Sequence, residues 1–220
     1  MTERQVTGNS ADSLLGANSD SLPAATIDLS FAHRWRAEIL AARPLILPPR
    51  SFVYPRAAEE VEKGALEVLV HPEPGTGATT LPFLATCALG FRDPAVPTGI
   101  WATPEPEKIC AVAGGYAYIV DTGAPERFTM IAYRPVMEVR AVAEAGVLLF
   151  IGHRSVVAWG REGLAWETER LSDEGLTVTG IEGGRLEGLG WQMLTDRETA
   201  FAVDLRDGKR VGWRVEKGNA

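Results

Sequence analysis

The chain has 220 residues, with 22 Lys and Arg against 29 Asp and Glu, 45% apolar residues and 23% charged. This composition fits a soluble globular protein and excludes collagen-like, disordered and small disulfide-framework classes. A chain of this length buries enough surface to hold a core without a disulfide or a metal. The net charge of −7 opposes phosphate-backbone binding by the chain as a whole, because such affinity rests on Lys and Arg displacing counterions.

No run reaches the 18 or so apolar residues of a membrane span. The longest uncharged apolar run, residues 145–152, contains Gly146 and Gly152. The N-terminus, MTERQVTGNS, has no charged-then-apolar leader. Neither a membrane location nor secretion by a standard signal is expected. Cys87 and Cys110 are far apart in sequence and form no Cys-x-x-Cys, so both are expected to be small buried hydrophobes in a reducing cytoplasm.

In chain order, residues 1–26 are rich in Ser, Asn, Gly, Ala and Asp without periodicity and read as a disordered tail. Residues 27–64 read as an arm. Phe31, Trp35 and Ile39 recur at every fourth position behind Ser30, a candidate N-cap, which predicts one short amphipathic helix ending before Pro44. Pro44, Pro48, Pro49 and Pro55 then impose an extended connector. Residues 65–215 read as an all-β domain. ALEVLV and FLATCALGF are apolar runs on either side of HPEPGTGATT, a hairpin loop or longer excursion.

From Gly99 onward, short segments rich in Val, Ile, Tyr, Phe and Trp alternate with turns at Gly114-Gly115, Gly146, Gly152-His153, Glu162-Gly163, Gly183-Gly184 and Asp207-Gly208. Gly-Gly and Asp-Gly pairs supply the positive φ that tight hairpins require. The stretch divides into three units of four strands each. GIWAT, KICAVA, YAYIVD and RFTMIAY make the first; VMEVRAV, VLLFIGH, SVVAWG and LAWET the second; LTVTGI, RLEGL, TAFAVDL and KRVGW the third. The third strands end at Asp121, Gly160 and Asp204, 39 and 44 residues apart. That spacing matches one propeller blade of roughly 40 to 45 residues. In this pattern, residues 99–213 resemble β-propeller repeat proteins of the WD40 and quinoprotein kind. The resemblance implies three propeller-blade-like antiparallel units, with ALEVLV and FLATCALGF as a further half-unit. A β-sandwich, or an open stack completed by dimerisation, accommodates the same strands. The chain is also similar to short bacterial proteins of unknown function that share the GGYAYIVDT and GLAWETERLS stretches.

His33, His71 and His153 lie in different elements, and no metal-ligand spacing occurs, so neither metal nor cofactor is expected. Gly75 to Thr80 lacks the Gly-Lys-Ser/Thr of a phosphate loop, and no Gly-x-Ser-x-Gly is present. Glu167 and Glu169 lie two apart, which on a strand places both on one face opposite Trp166. With Asp196, in the loop 192–199, and His153, they are the candidates for acid and base chemistry. Trp166, Trp191, Tyr116 and Tyr118 are candidates for an aromatic binding platform, and equally for core. Residues 30–56 carry five arginines against one acid, Glu38, a local +4 that leaves −11 elsewhere. That patch suits an arm held on an acidic body or a docking element for a protein partner. The expected function is a non-catalytic β scaffold for a partner protein, a small ligand or self-association. The alternative is an enzyme acting on a small polar molecule.

Overall fold

The computed structural model describes residues 25–56, 58–74 and 81–212. The expected tail up to residue 24, the glycine-rich stretch 75–80 and Trp213 lie outside the described residues. The protein is mainly β, with four sheets of four or five strands. The chain opens with β1 (Thr26–Asp28). Sheet I contains β2 (Trp35–Leu40), β3 (Ser51–Tyr54), β4 (Ala65–Pro72) and β5 (Phe83–Ala88), in the order β2-β4-β5-β3. Sheet II contains β6 (Gly99–Ala102), β7 (Lys108–Ala113), β8 (Tyr116–Asp121) and β9 (Phe128–Met130), with β1 added in parallel to β6.

Sheet III is the sequential meander β10 (Glu138–Val142), β11 (Val147–Ile151), β12 (Val156–Gly160) and β13 (Gly163–Glu167). Sheet IV repeats that order with β14 (Leu176–Glu182), β15 (Arg185–Gln192), β16 (Arg197–Asp204) and β17 (Arg210–Val211). The three four-strand divisions made on the sequence therefore fall in sheets II, III and IV.

The predicted helix is not formed. Trp35 to Leu40 is strand β2, paired antiparallel with β4 from Trp35↔Pro72 to Leu40↔Glu67. A spacing of four is shared by the helical period and twice the strand period, so Trp35 and Ile39 lie on one face in either conformation. What decides is pairing, since β4 offers β2 a ladder. Ser30 caps no helix; its N–H donates to Asp28 Oδ1 at 2.9 Å, closing a turn after β1. Both β2 and β3 come from the segment expected as an arm, and they flank the two strands expected as a half-unit.

The sheets stack face to face. Strand β11 is buried along its whole length. Leu148 and Phe150 join the core shared with sheets I and II, whereas Leu149 and Ile151 join the core shared with sheet IV. Sheet III is thus apolar on both sides, with sheet II against one and sheet IV against the other. Indole and phenol groups pin the layers together by reaching backbone carbonyls. Trp35 Nε1 donates to Lys108 O at 3.1 Å, Tyr118 OH to Ala88 O at 2.9 Å and Trp166 Nε1 to Leu205 O at 2.9 Å.

Strands β2 and β3 run parallel, at opposite edges of sheet I, so the connection 41–50 has to cross the sheet. The inner face is filled by sheet II. A crossing on the outer face accounts for Leu84 and Thr86, which point outward yet are fully buried. Glu67 lies in that outer row opposite Thr86 and is only 5% exposed; it accepts the Thr86 hydroxyl at 2.6 Å, which satisfies a carboxylate that burial would otherwise penalise.

The glycine-based turns serve two purposes. Gly208 has φ 72, and a Cβ there would meet the Trp166 ring at 2.6 Å. Gly152 does not have positive φ, and its missing side chain instead admits Tyr133, whose ring would lie 1.7 Å from a Cβ. Gly208→Val is expected to destabilise by about 2 to 4 kcal/mol, from strain plus displacement of Trp166, measured by urea unfolding. Trp35 is 1% exposed within the main core. Trp35→Ala should cost about 3 to 5 kcal/mol in the same measurement, and an unchanged midpoint would show that β2 is not integral to the fold.

Candidate functional site

In sheets II, III and IV, turns alternate between two rims. The first rim carries the turns from first to second and third to fourth strands; the second carries those from second to third. Trp159 Nε1 donates to Glu105 Oε1 at 3.3 Å and Trp166 to Leu205 O, which aligns the first rim across the three sheets. On the second rim, Val136 N–H donates to Gly115 O at 2.9 Å and Arg154 N–H to Tyr133 Oη at 2.8 Å.

Among the described residues, two clefts open on the first rim. The more strongly charged, of about 680 Å³, is lined by Arg56, Glu105, Lys108, Asp121, Glu126 and Arg127, with Ile119, Phe128 and Thr129. Lys108 begins β7 and Asp121 ends β8, directly across the ladder. Lys108 Nζ pairs with Glu105 Oε2 at 2.5 Å and lies 5.8 Å from the Trp159 ring centre. Asp121 organises the turn after β8: Oδ1 accepts the N–H of Gly123 at 2.9 Å and Ala124 at 3.1 Å, and Oδ2 binds Arg127 at 2.7 Å. Arg56 closes the wall by donating to Glu126 O at 2.8 Å. Beneath it, Tyr54 donates to Pro125 O at 2.7 Å, and burial pushes its phenol pKa far up. Tyr54 is therefore a neutral donor that positions the 121–127 turn.

Cations and acids balance in this cleft, and Lys108 and Arg127 each already hold a carboxylate. Such a surface can exchange internal partners for a ligand's charges at small cost, because partly exposed pairs are weak. Its lining contains no His, Cys or Ser nucleophile.

The second cleft, about 650 Å³, lies between sheets III and IV, lined by Val142, Glu144, Ala145, residues 181–185 and residues 204–206. Asp204 accepts the Arg206 N–H at 2.9 Å, and its Oδ2 takes the guanidinium at 2.6 Å. These bonds hold its pKa down at about 2.

The residues singled out on the sequence lie elsewhere. His153, Glu167 and Asp196 all lie toward the second rim, on two sheets, and line neither of these clefts. Glu167 and Glu169 are exposed on either side of buried Thr168 and opposite buried Trp166, as the alternation predicts. Glu167 meets the Ser155 hydroxyl at 3.5 Å, while Glu169 is tied to Arg210 at 2.7 Å. Asp196 sits exposed in the β15–β16 turn with φ 48.

Tyr118 and Trp166 belong to the core, which removes them from any exposed platform. Tyr116 and Trp191 remain half-buried; Tyr116 packs edge-on against Phe91, with Arg134 5.4 Å from its ring centre. Among the described residues no group of three or more His, Cys, Asp or Glu is placed to hold a metal ion. Cys87 and Cys110 are buried and unlinked, with thiol pKa values raised by burial. No helix is long and apolar enough to cross a membrane among the described residues.

No protein-family model matches the chain, and no curated protein matches it either. The first-rim residues Arg56, Lys108 and Arg127 were not legible as a group, since they lie on separate elements. The signal available was the charge-dense EPEK turn and Asp121 at a strand end.

Asp204 should titrate near pH 2 by carboxyl NMR, and Arg206→Ala should return it toward the ordinary carboxylate range. The lowered folded pKa means that any stability from this pair is present above the unfolded value and lost as pH falls through about 2.

Proposed function

We propose that the protein is a non-catalytic recognition scaffold whose first-rim cleft takes a compact ligand carrying both charge signs, such as a zwitterion or the charged side chains of a partner's loop. The observation that carries this reading is the 680 Å³ cleft bounded by three cations and three acids. Its volume is in the range of small-ligand sites. A ligand ammonium would replace Arg127 at Asp121, while its anionic end would meet Arg127 and Lys108. Phe128 and Ile119 supply apolar contact between the two ends.

In the same reading, the stacked four-stranded sheets are propeller-blade-like units. Sequential strand order in sheets III and IV supports it, as does the face-to-face stacking of II on III and III on IV. The rims are then the natural binding surfaces, because turns can vary there without disturbing the layers. Two buried, unlinked thiols fit residence in a reducing compartment such as the cytoplasm.

The test is a panel of amino acids and short charged peptides added to 15N-labelled protein. Amide shifts should gather at residues 105–108 and 121–129. Arg127→Ala, at an exposed side chain, should weaken binding about tenfold with the melting temperature unchanged. Shifts centred instead on His153 and Glu167, with turnover of the added compound lost in Glu167→Gln, would replace this reading with an enzyme.

A further inference from the structure

We infer that the loop between β2 and β3 attaches the protein to an anionic phospholipid surface. Leu45, Ile46 and Leu47 would enter the interface, with Arg43 and Arg50 against the phosphates. Leu45 and Ile46 are fully exposed and Leu47 is 44% exposed. Elsewhere in the arm Phe31, Trp35 and Tyr54 lie in the main core and Ile39 and Phe52 pack against it, while Ile27 and Leu29 are 57% and 46% exposed. What sets this loop apart among the described residues is that three large aliphatics in succession are exposed. Leu81, 60% exposed, lies beside the loop's Arg50, whose Nη1 donates to its carbonyl at 2.6 Å. Pro44, Pro48 and Pro49 limit the conformations the loop loses on docking.

Charge identifies the occupant. Residues 30–56 carry +4 on a chain of net charge −7. Arg36, Arg43, Arg50 and Arg56 make no ion pair among the described residues, and Arg50 and Arg56 bond neutral carbonyls instead. An anionic surface would attract this arm and repel the remainder, which orients the molecule loop-first. Lipid fits the geometry better than a protein groove. A groove takes alternate side chains of an extended segment, whereas here three in succession are exposed, and a fluid apolar phase can receive all three. No spanning helix is needed for this mode of attachment.

The full chain would be floated with vesicles of phosphatidylcholine, with and without phosphatidylglycerol. Binding is expected only with phosphatidylglycerol, and it should weaken as salt rises. Leu45→Asp, Ile46→Asp and Arg43→Glu should each weaken it by about tenfold or more, with circular dichroism and melting temperature unchanged. Leu194→Asp, at a fully exposed apolar residue of the β15–β16 turn, should bind like the parent. In Leu47→Trp, indole emission should shift to the blue on adding the anionic vesicles. Absence of flotation, equal loss with Leu194→Asp, or unaltered binding by Ile46→Asp would overturn the inference. So would light scattering showing a dimer that Ile46→Asp dissolves, which would assign the loop to a second copy. None of these variants touches the first-rim cleft, so this outcome and the fate of the ligand reading are separable.

Discussion

Two-sided burial of sheet III is the constraint on which the rest of the structure depends. A strand such as β11, with Leu148 and Phe150 on one side and Leu149 and Ile151 on the other, has no face to give to water. Each such side chain left exposed would forfeit about 1.5 to 3 kcal/mol. Sheets II and IV are therefore both obligatory neighbours, and sheet II in turn requires sheet I over its other side. With the faces of the inner sheets consumed in this way, only rims, edges and the two outermost faces remain for recognition. The location of both clefts at strand ends follows from that exclusion.

The two ends of the stack are finished differently. Sheet I is widened by β2 and β3, and its outward row is sealed enough for Thr86 to be fully buried beside Glu67. A buried carboxylate there is tolerable because the hydroxyl that satisfies it is the residue directly across the ladder. Sheet IV instead alternates on its outer side: Glu187, Leu189 and Trp191 of β15 are half-buried, while Leu186, Gly188 and Gly190 face the core. The glycines leave room for close neighbours, Phe201 being the cross-strand partner of Gly188 on β16 of the same sheet. A Cβ on Gly188 would lie 2.4 Å from the Phe201 ring, and one on Gly190 2.3 Å from Leu171 O.

How much was legible from the sequence follows from the physics of each signal. The strands of sheets II to IV were legible because positive-φ glycines at 114, 115, 146, 183, 184 and 208 punctuate them. Strand β2 was not, because Trp35 and Ile39 satisfy both periods and only the partner strand breaks the tie. Tyr118 could not be assigned to core or surface because its strand, YAYIVD, carries apolar residues on both faces. The cleft was least legible. Its members are ordinary charged residues whose convergence depends on Tyr54 and Arg56 gripping the carbonyls of Pro125 and Glu126, some seventy residues further along the chain.

Charge is distributed unevenly over the surface. In the β8–β9 and β16–β17 turns of the first rim, arginines are matched locally: Arg127 with Asp121, and Arg206 with Asp204. Matched pairs cancel at distance, so those surfaces exert little long-range pull. The arm that folds into sheet I is the opposite case. Of its five arginines only Arg34 makes an ion pair among the described residues, a 3.6 Å contact with Glu107 whose members are both more than half exposed. Unmatched charge acts over a Debye length and matched charge does not. One chain therefore carries turns of locally matched charge and an arm of excess positive charge.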